Sequence, residues 1–468
     1  MNRHNRVISI LVFTLLSSIA VAATETEQPN ILLIVTDDQR PDTIHALGNN
    51  EIRTPTLDRF VQEGMTFTRA ITAIPICVAS RAELLTGRDG LLNGKSNFGF
   101  APKDNVPHLA TTLHQAGYET CYVGKWHTSG RPSTHGYETV EGLYSSGGGK
   151  HPLTVPKDWK GMNVTGYRGW VFQTDDRKIF PEKGVGLTAD ISLYFTLAAN
   201  RFLVRRSDRP FFLHVNYTAP HDPLLLPSCY EGMYLPESLT LPPNFKSEHP
   251  FDHGNAGGRD EALYSSPRTP EQTRTGLAVY YSVIEHLDKS IGLLMESLRA
   301  QGLDRNTLVI FTSDHGLAMG SHGLRGKQNM YEHSVGVPLL FVGPDIPNGA
   351  KTDAQCYLRD LYPTICDYAG VEIPETVQGK SLVPVLKQKE KSVYDAVFAS
   401  FKDSQQMIRT DRWKYVRYPL VQKDQLFDLK IDPNELVNLI DQSEHNEILE
   451  GLRQSLGKWS KDRNLNNE

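Results

Sequence analysis

The chain has 468 residues, 39% apolar and 9% aromatic, which is enough for one large packed core with a smaller companion and too much for a disordered protein. Its net charge of −5 excludes a nucleic-acid binder working through a general basic field. An anionic substrate must therefore meet a local cluster of cations.

Residues 1–22 read as a secretory signal peptide: Arg3 and Arg6, an apolar run from Val7 to Ile19, then Ala20-Val21-Ala22 as an A-x-A cleavage site. That run is too short to span a bilayer, no cysteine follows the cleavage site to carry a lipid, and no later segment is long and apolar enough to cross. The mature protein is expected to be exported, periplasmic or secreted, with no membrane anchor. Export permits disulfides. Cys121, Cys229, Cys356 and Cys366 either form two bridges, in one of three pairings, or stay as thiols, and none of their spacings suits a zinc site.

The first element is Asn30–Thr36, an unbroken β-branched run that reads as a buried strand and ends in Asp37-Asp38. A helix follows over Thr54–Glu63 with Pro55 in its first turn. Next comes Cys77-Val78-Ala79-Ser80-Arg81, continued by Ala82-Glu83-Leu84-Leu85-Thr86-Gly87-Arg88. A cysteine opening a helix with an arginine one turn later puts thiol and guanidinium on one face. The positive helix N-terminus favours a charged or metal-bound group at Cys77.

A helix over Val106–Ala116 stops at Gly117, and a strand over Glu119–Gly124 runs into Lys125-Trp126-His127. The stretch Gly147–Gly186 carries Trp159, Tyr167, Arg168, Trp170 and Phe172 among glycine-rich turns. It reads either as a sugar platform, in which Tyr167, Arg168 and Trp170 bind substrate, or as a packed excursion whose aromatics are core. Helical periodicity covers Leu187–Leu203. The strand Phe211–Tyr217 leads to His221 within Ala219-Pro220-His221-Asp222-Pro223. A long helix over Glu271–Ala300 stops at Gly302; the strand Thr307–Thr312 then ends in Ser313-Asp314-His315-Gly316, and Pro338–Val342 is a further strand.

This alternation predicts an α/β sandwich with a mostly parallel central sheet between helices. Ligands of such sheets bind beyond the carboxyl ends of the strands. Four strands here deliver carboxylates, imidazoles and an ammonium to one edge. Asp37 and Asp38 at one strand end with Asp314 and His315 at another form an oxygen-rich set that suits Ca²⁺ or Mg²⁺ better than zinc. A catalytic domain is expected over 24–370. A smaller C-terminal α+β unit should fill 371–468, with antiparallel strands at Met407–Tyr418 and Gln425–Leu429 and a helix at Ile448–Trp459.

The motifs C-x-A-x-R with L-x-T-G-R at Cys77–Arg88, N-I-L-L-I-V-T-D-D-Q at Asn30–Gln39, G-K-W-H at Gly124–His127 and G-K-x-x-x-Y-E at Gly326–Glu332 resemble the sulfatase family of the alkaline phosphatase superfamily. So do His135-Gly136-Tyr137 and, near the C-terminus, Gln425–Leu429 with Asp432-Pro433-Asn434-Glu435. The resemblance spans Pro29 to about Leu439. It implies hydrolysis of a sulfate ester on a sulfated polysaccharide or oligosaccharide, with Cys77 converted by a maturation enzyme to formylglycine (3-oxoalanine), whose hydrate is the nucleophile. It further implies a Ca²⁺ ion held by Asp37, Asp38, Asp314, His315 and residue 77. Arg81 would anchor the formylglycine, Lys125 and Lys327 would grip sulfate oxygens, His221 would protonate the leaving group and His127 would act as base.

Ala79 stands where many members have proline, and His315 where asparagine is common. One rival is a phosphonate monoester or phosphodiester hydrolase of the same superfamily. Another is a silent carbohydrate-binding relative with Cys77 unconverted, against which the complete set of acid, base and cations argues.

Overall fold

The structure is a computed structural model and describes residues 28–93, 106–463 and 465. Residues 1–22, expected to be a signal peptide, lie outside the described residues. Nine strands form the main sheet: β1 (Asn30–Thr36), β2 (Met65–Ile71), β3 (Glu119–Lys125), β4 (Thr139–Ser146), β5 (Trp170–Phe172), β6 (Phe211–Asn216), β7 (Thr307–Ser313), β8 (Leu339–Val342) and β9 (Ala350–Tyr357). Their order is β5-β4-β3-β6-β1-β7-β8-β2-β9. All but β5 and β8 point the same way, so the sheet is mostly parallel, as expected.

The central strand β1 shows why its sequence lacks alternation. Leu32 and Ile34 pack on one face with α4 (Ile191–Arg205) and α5 (Pro270–Ala300). Ile31, Leu33 and Val35 pack on the other with α3 (Leu109–Gln115) and α6 (Leu361–Ala369). Both faces are covered, so every side chain of the strand is apolar or buried polar.

Helix α1 (Pro55–Glu63) begins at Pro55, but the Thr54 side chain does not cap it. The Asp288 carboxylate on α5 does so instead, accepting the backbone N–H groups of Thr56 at 3.0 Å and Leu57 at 2.8 Å. Helix α2 (Cys77–Thr86) is buried along its whole length and ends on Gly87 in the left-handed conformation.

The C-terminal unit is an antiparallel sheet of β10 (Ala396–Phe401), β11 (Gln405–Thr410), β12 (Trp413–Tyr418) and β13 (Lys423–Asp428), covered by α7 (Asn446–Asp462). Leu449, Leu452, Leu456 and Trp459 of α7 pack on Ile408, Tyr415 and Leu426. The single strand expected over Met407–Tyr418 is two, because the polar pair Asp411-Arg412 turns the chain between β11 and β12. All five cysteines are free thiols; Cys229 alone is exposed.

Candidate active site at the strand ends

Helix α2 presents Cys77 at its first turn, 2% exposed, against the carboxyl ends of β1, β6 and β7. Arg81, one turn on, fastens the helix to all three. Its Nε donates to Asp314 Oδ2 at 3.0 Å, Nη1 donates to Asn216 Oδ1, and Nη2 donates to the Thr36 carbonyl at 3.3 Å. Ser80 Oγ adds a bond to the Asp314 carbonyl at 2.6 Å. Burying a guanidinium this way is tolerable because carboxylate and carbonyl partners surround it.

Strand β3 brings Lys125 to the same floor. Gly124 makes this possible: at φ +96° it sits so near β6 that a Cβ would lie 2.0 Å from the Asn216 carbonyl oxygen. Lys125 Nζ then ion-pairs with Asp37 Oδ2, which also accepts from Tyr167 Oη at 2.7 Å. Asp38, left-handed at φ +68°, turns its carboxylate the other way, where Lys327 Nζ binds both oxygens at 2.8 and 3.1 Å. Asp260 stands 3.7 Å from the same ammonium.

His221 Nδ1 donates to the Asp222 carbonyl at 2.6 Å, and Nε2 lies 4.0 Å from Asp38. His127 sets its ring edge-on to Trp170, 5.1 Å between centroids, with a buried Nδ1 that has no partner among the described residues.

Cys77, Lys125, His127, His221, Asp260 and Lys327 line one cavity of about 400 Å³, together with Asn255, Arg259, Gln328, Phe401 and Lys402. Cys77, Lys125, His127, His221 and Lys327 therefore meet as the sequence predicts, and Tyr167 and Trp170 join them. Tyr167 is only 8% exposed and its hydroxyl is committed to Asp37, so it is part of the floor rather than an open platform. Arg168 is exposed and outside the cavity lining, because Tyr167 is left-handed at φ +58° and the chain turns there. Phe172 is core, and Trp159 lines a separate cavity with Tyr230 and Tyr234. The sequence reading missed Asn216, Asp260 and Arg259. Of these, Asn216 carried a signal, as the polar last residue of a buried strand.

The electrostatics split the two adjacent aspartates. Burial pushes the Asp37 carboxyl up, but Lys125, His221 and Arg81 outweigh it and hold the group well below the usual carboxylate range. Burial and the like charges of Asp37, Asp260 and Asp314 raise Asp38 well above that range despite Lys327. Burial, then the nearby lysines, press His127 and His221 well below the usual imidazole range.

The site also fits a cation. Ligand atoms of Asp37, Cys77, Asp314 and His315 all lie within 4.8 Å of one another. Asp37 Oδ1 is buried without a hydrogen-bond partner among the described residues. His315 Nδ1 lies 3.0 Å from the Gly316 carbonyl, which leaves Nε2 buried, also without such a partner, 3.6 Å from Asp314 Oδ1. A hard divalent ion here would meet these unused lone pairs and relieve the repulsion at Asp38.

Comparison with known proteins agrees with this geometry. The family profile described as Sulfatase matches residues 29–371, and one described as N-sulphoglucosamine sulphohydrolase, C-terminal, matches residues 320–462. An arylsulfatase of Clostridium perfringens is 32% identical over 92% of this chain and 94% of its own length. An N-acetylglucosamine-6-O-sulfatase of Bacteroides thetaiotaomicron is 26% identical over 93% of this chain and 87% of its own. A solved structure in complex with its substrate D-glucosamine-2-N,6-O-disulfate superposes with a TM-score of 0.74 at 25% identity, covering 94% of this chain and 99% of that one. A phosphonate monoester hydrolase of Agrobacterium radiobacter shares the fold, with a TM-score of 0.76 at 23% identity over 93% and 96% of the two chains. The chain belongs to the sulfatase family and is a sulfuric ester hydrolase.

Proposed function

We propose that the protein removes sulfate from a sulfated carbohydrate outside the cytoplasm, with formylglycine made from Cys77 by a maturation enzyme and with Ca²⁺ in the acidic floor. The observation that carries this reading is the convergence of Lys125, Lys327, His127 and His221 on Cys77 within one cavity. Relatives named for carbohydrate sulfate esters support the substrate class.

Asp37, Asp38, Asp314 and His315 would hold the ion with residue 77. When present, the formylglycine hydrate supplies the nucleophile and the ion supplies positive charge beside the sulfate oxygens. Lys125 and Lys327 each keep donors beyond those bonded to Asp37 and Asp38, and these bind sulfate oxygens where the transition state gathers charge. Arg81 keeps residue 77 at the floor by tying α2 to Asp314 and Asn216.

His221 holds a proton at Nε2 for the departing alkoxide, its Nδ1 being engaged by Asp222. Burial first, and then lysine charge, depress this imidazole, and the sulfate's own negative charge acts against both. His127, kept neutral by burial and Lys125, accepts a proton at a ring nitrogen.

The test is a screen of sulfated oligosaccharides against matured protein, reading sulfate release, with a phosphodiester as control. Preference for the phosphodiester would overturn the substrate class.

A further inference from the structure

Behind His221 lies a second, much smaller cavity of about 20 Å³, walled by Lys160, Thr165, Asp222, Tyr264 and Arg325 among others. Polar atoms left over from every other contact collect in its walls. Arg325 is 2% exposed, and its Nε and Nη1 have no hydrogen-bond partner among the described residues. The same holds for Oδ2 of Asp222, which is 3% exposed. A buried guanidinium and a buried carboxylate left half-used are each costly, and groups of this kind are normally satisfied. The volume is that of about one water, and a buried water binds where two to four polar partners surround it.

Asp222 is already tied to the proton donor. Its carbonyl accepts from His221 Nδ1, its Oδ1 lies 3.3 Å from that nitrogen, and Oδ1 also accepts from Arg259 Nη2 at 2.9 Å. Only Oδ2 remains without a partner, and Asp222 and Arg325 line the same small cavity.

We propose that Arg325 is a positioning residue for the leaving-group acid: through a water in this cavity it fixes the Asp222 carboxylate, and thereby the tilt of the His221 ring. The inference rests on His221 protonating the departing oxygen. It assigns a duty to an arginine outside the lining of the active-site cavity, and to a carboxylate outside the clusters that could hold a cation.

Arg325 stands two residues from Lys327, so a loss of rate alone would not separate the two effects. Leaving-group dependence does. A weakened grip on sulfate slows every ester alike, whereas a misplaced acid slows those whose alcohol most needs a proton.

The experiment uses matured protein and a set of ring-substituted phenyl sulfates from 4-nitrophenyl to 4-methoxyphenyl. In Arg325→Met and in Asp222→Asn, the ratio of kcat/KM between the two ends of the set should widen by about 10- to 100-fold, a fraction of what a general acid contributes. Arg325→Lys should restore part of it, and the double variant should be no worse than the single ones, as expected for groups acting as one unit. Thermal melts check that each variant is folded.

Uniform loss across the set, or losses that multiply in the double variant, would overturn the proposal and leave the reaction class standing. No sulfate release by the parent protein from these esters or from the sulfated oligosaccharides would overturn the reaction class, and this inference with it.

Discussion

The floor of the active-site cavity and its mouth are built on different principles. Asp37, Lys125, Asn216 and Asp314 all sit at or just beyond strand ends, and Arg81 ties three of those strands to the helix that carries Cys77. Each charge there is buried and paired. The mouth is assembled from loops far apart in the chain: Asn255 and Arg259, Gln328, and the β10–β11 turn with Phe401 and Lys402. Asn255 donates to Gln328 at 2.7 Å, and Gln405 in β11 donates to the Gln328 carbonyl at 2.9 Å. The C-terminal sheet thus shapes the mouth and leaves the floor to the parallel sheet. On the function proposed above, chemistry belongs to the buried, paired floor and selectivity to the loops and turns around it.

If that division is right, changes in the floor must strike every substrate. Cys77→Ala should lower kcat by about 10⁴-fold or more, as loss of a nucleophile does. Peptide mass analysis of active protein should find residue 77 lighter than cysteine; full activity from protein carrying only the thiol would break the scheme. Next in size, Asp314→Asn should cost about 10²-fold or more in kcat, and a chelator should act in the same direction. Asparagine is the better probe here. Alanine would also leave the buried Arg81 Nε without an acceptor, with Asp37 at 3.7 Å as the remaining carboxylate, a defect worth about 1–3 kcal/mol of stability by itself, whereas the asparagine amide oxygen can still accept. Retention of turnover after chelation would remove the ion from the floor.

The same contrast decides what could be read from sequence. Strand ends are legible: a buried apolar run followed by Asp37-Asp38, Lys125 or Asp314 marks both the strand and the edge where its polar residues gather. The mostly parallel character of the sheet followed from the same alternation, whereas the order of its strands is set by long-range pairing that no local pattern encodes. Asp260 escaped because it lies in a glycine-rich loop without periodicity, and nothing local says that it will face Lys327 from across the fold. Phe401 and Lys402 escaped because their proximity is set by how the C-terminal sheet docks, which no short stretch encodes. Arg168 was misread for the opposite reason. Neighbours in sequence looked like neighbours in space, and a single left-handed residue at Tyr167 separates them.

At the mouth the expected effects are smaller and depend on substrate. Lys402 is exposed and has no ion pair among the described residues, in contrast to Lys125, Lys327 and Arg259. Lys402→Ala should raise KM by about 5-fold for a saccharide with a second anionic group and leave kcat nearly intact, the signature of lost ground-state binding. A matched fall in kcat for every ester would show that the turn reaches the floor after all.

The smallest effect concerns stability, and it probes the layer directly beneath the floor. His214, in the middle of β6, is 2% exposed; Tyr137 Oη lies 2.8 Å from its Nδ1, and its Nε2 has no partner among the described residues. Burial first, and then the charge of Arg81, push its pKa down to about 3. The fold therefore favours the neutral ring. Its contribution is complete above the unfolded value of about 6.5 and is lost as pH falls from there toward 3, at no more than about 1.4 kcal/mol per pH unit. Denaturant unfolding at pH 7, 6, 5 and 4 should show this decline in the parent protein and a shallower one in His214→Phe. At neutral pH that variant should be weaker by about 1 kcal/mol, since Tyr137 loses its partner. Identical slopes would mean that His214 is not held neutral by the fold. A shallower slope with unchanged substrate preference would show that the floor's charge burdens the scaffold below it without reaching the mouth above.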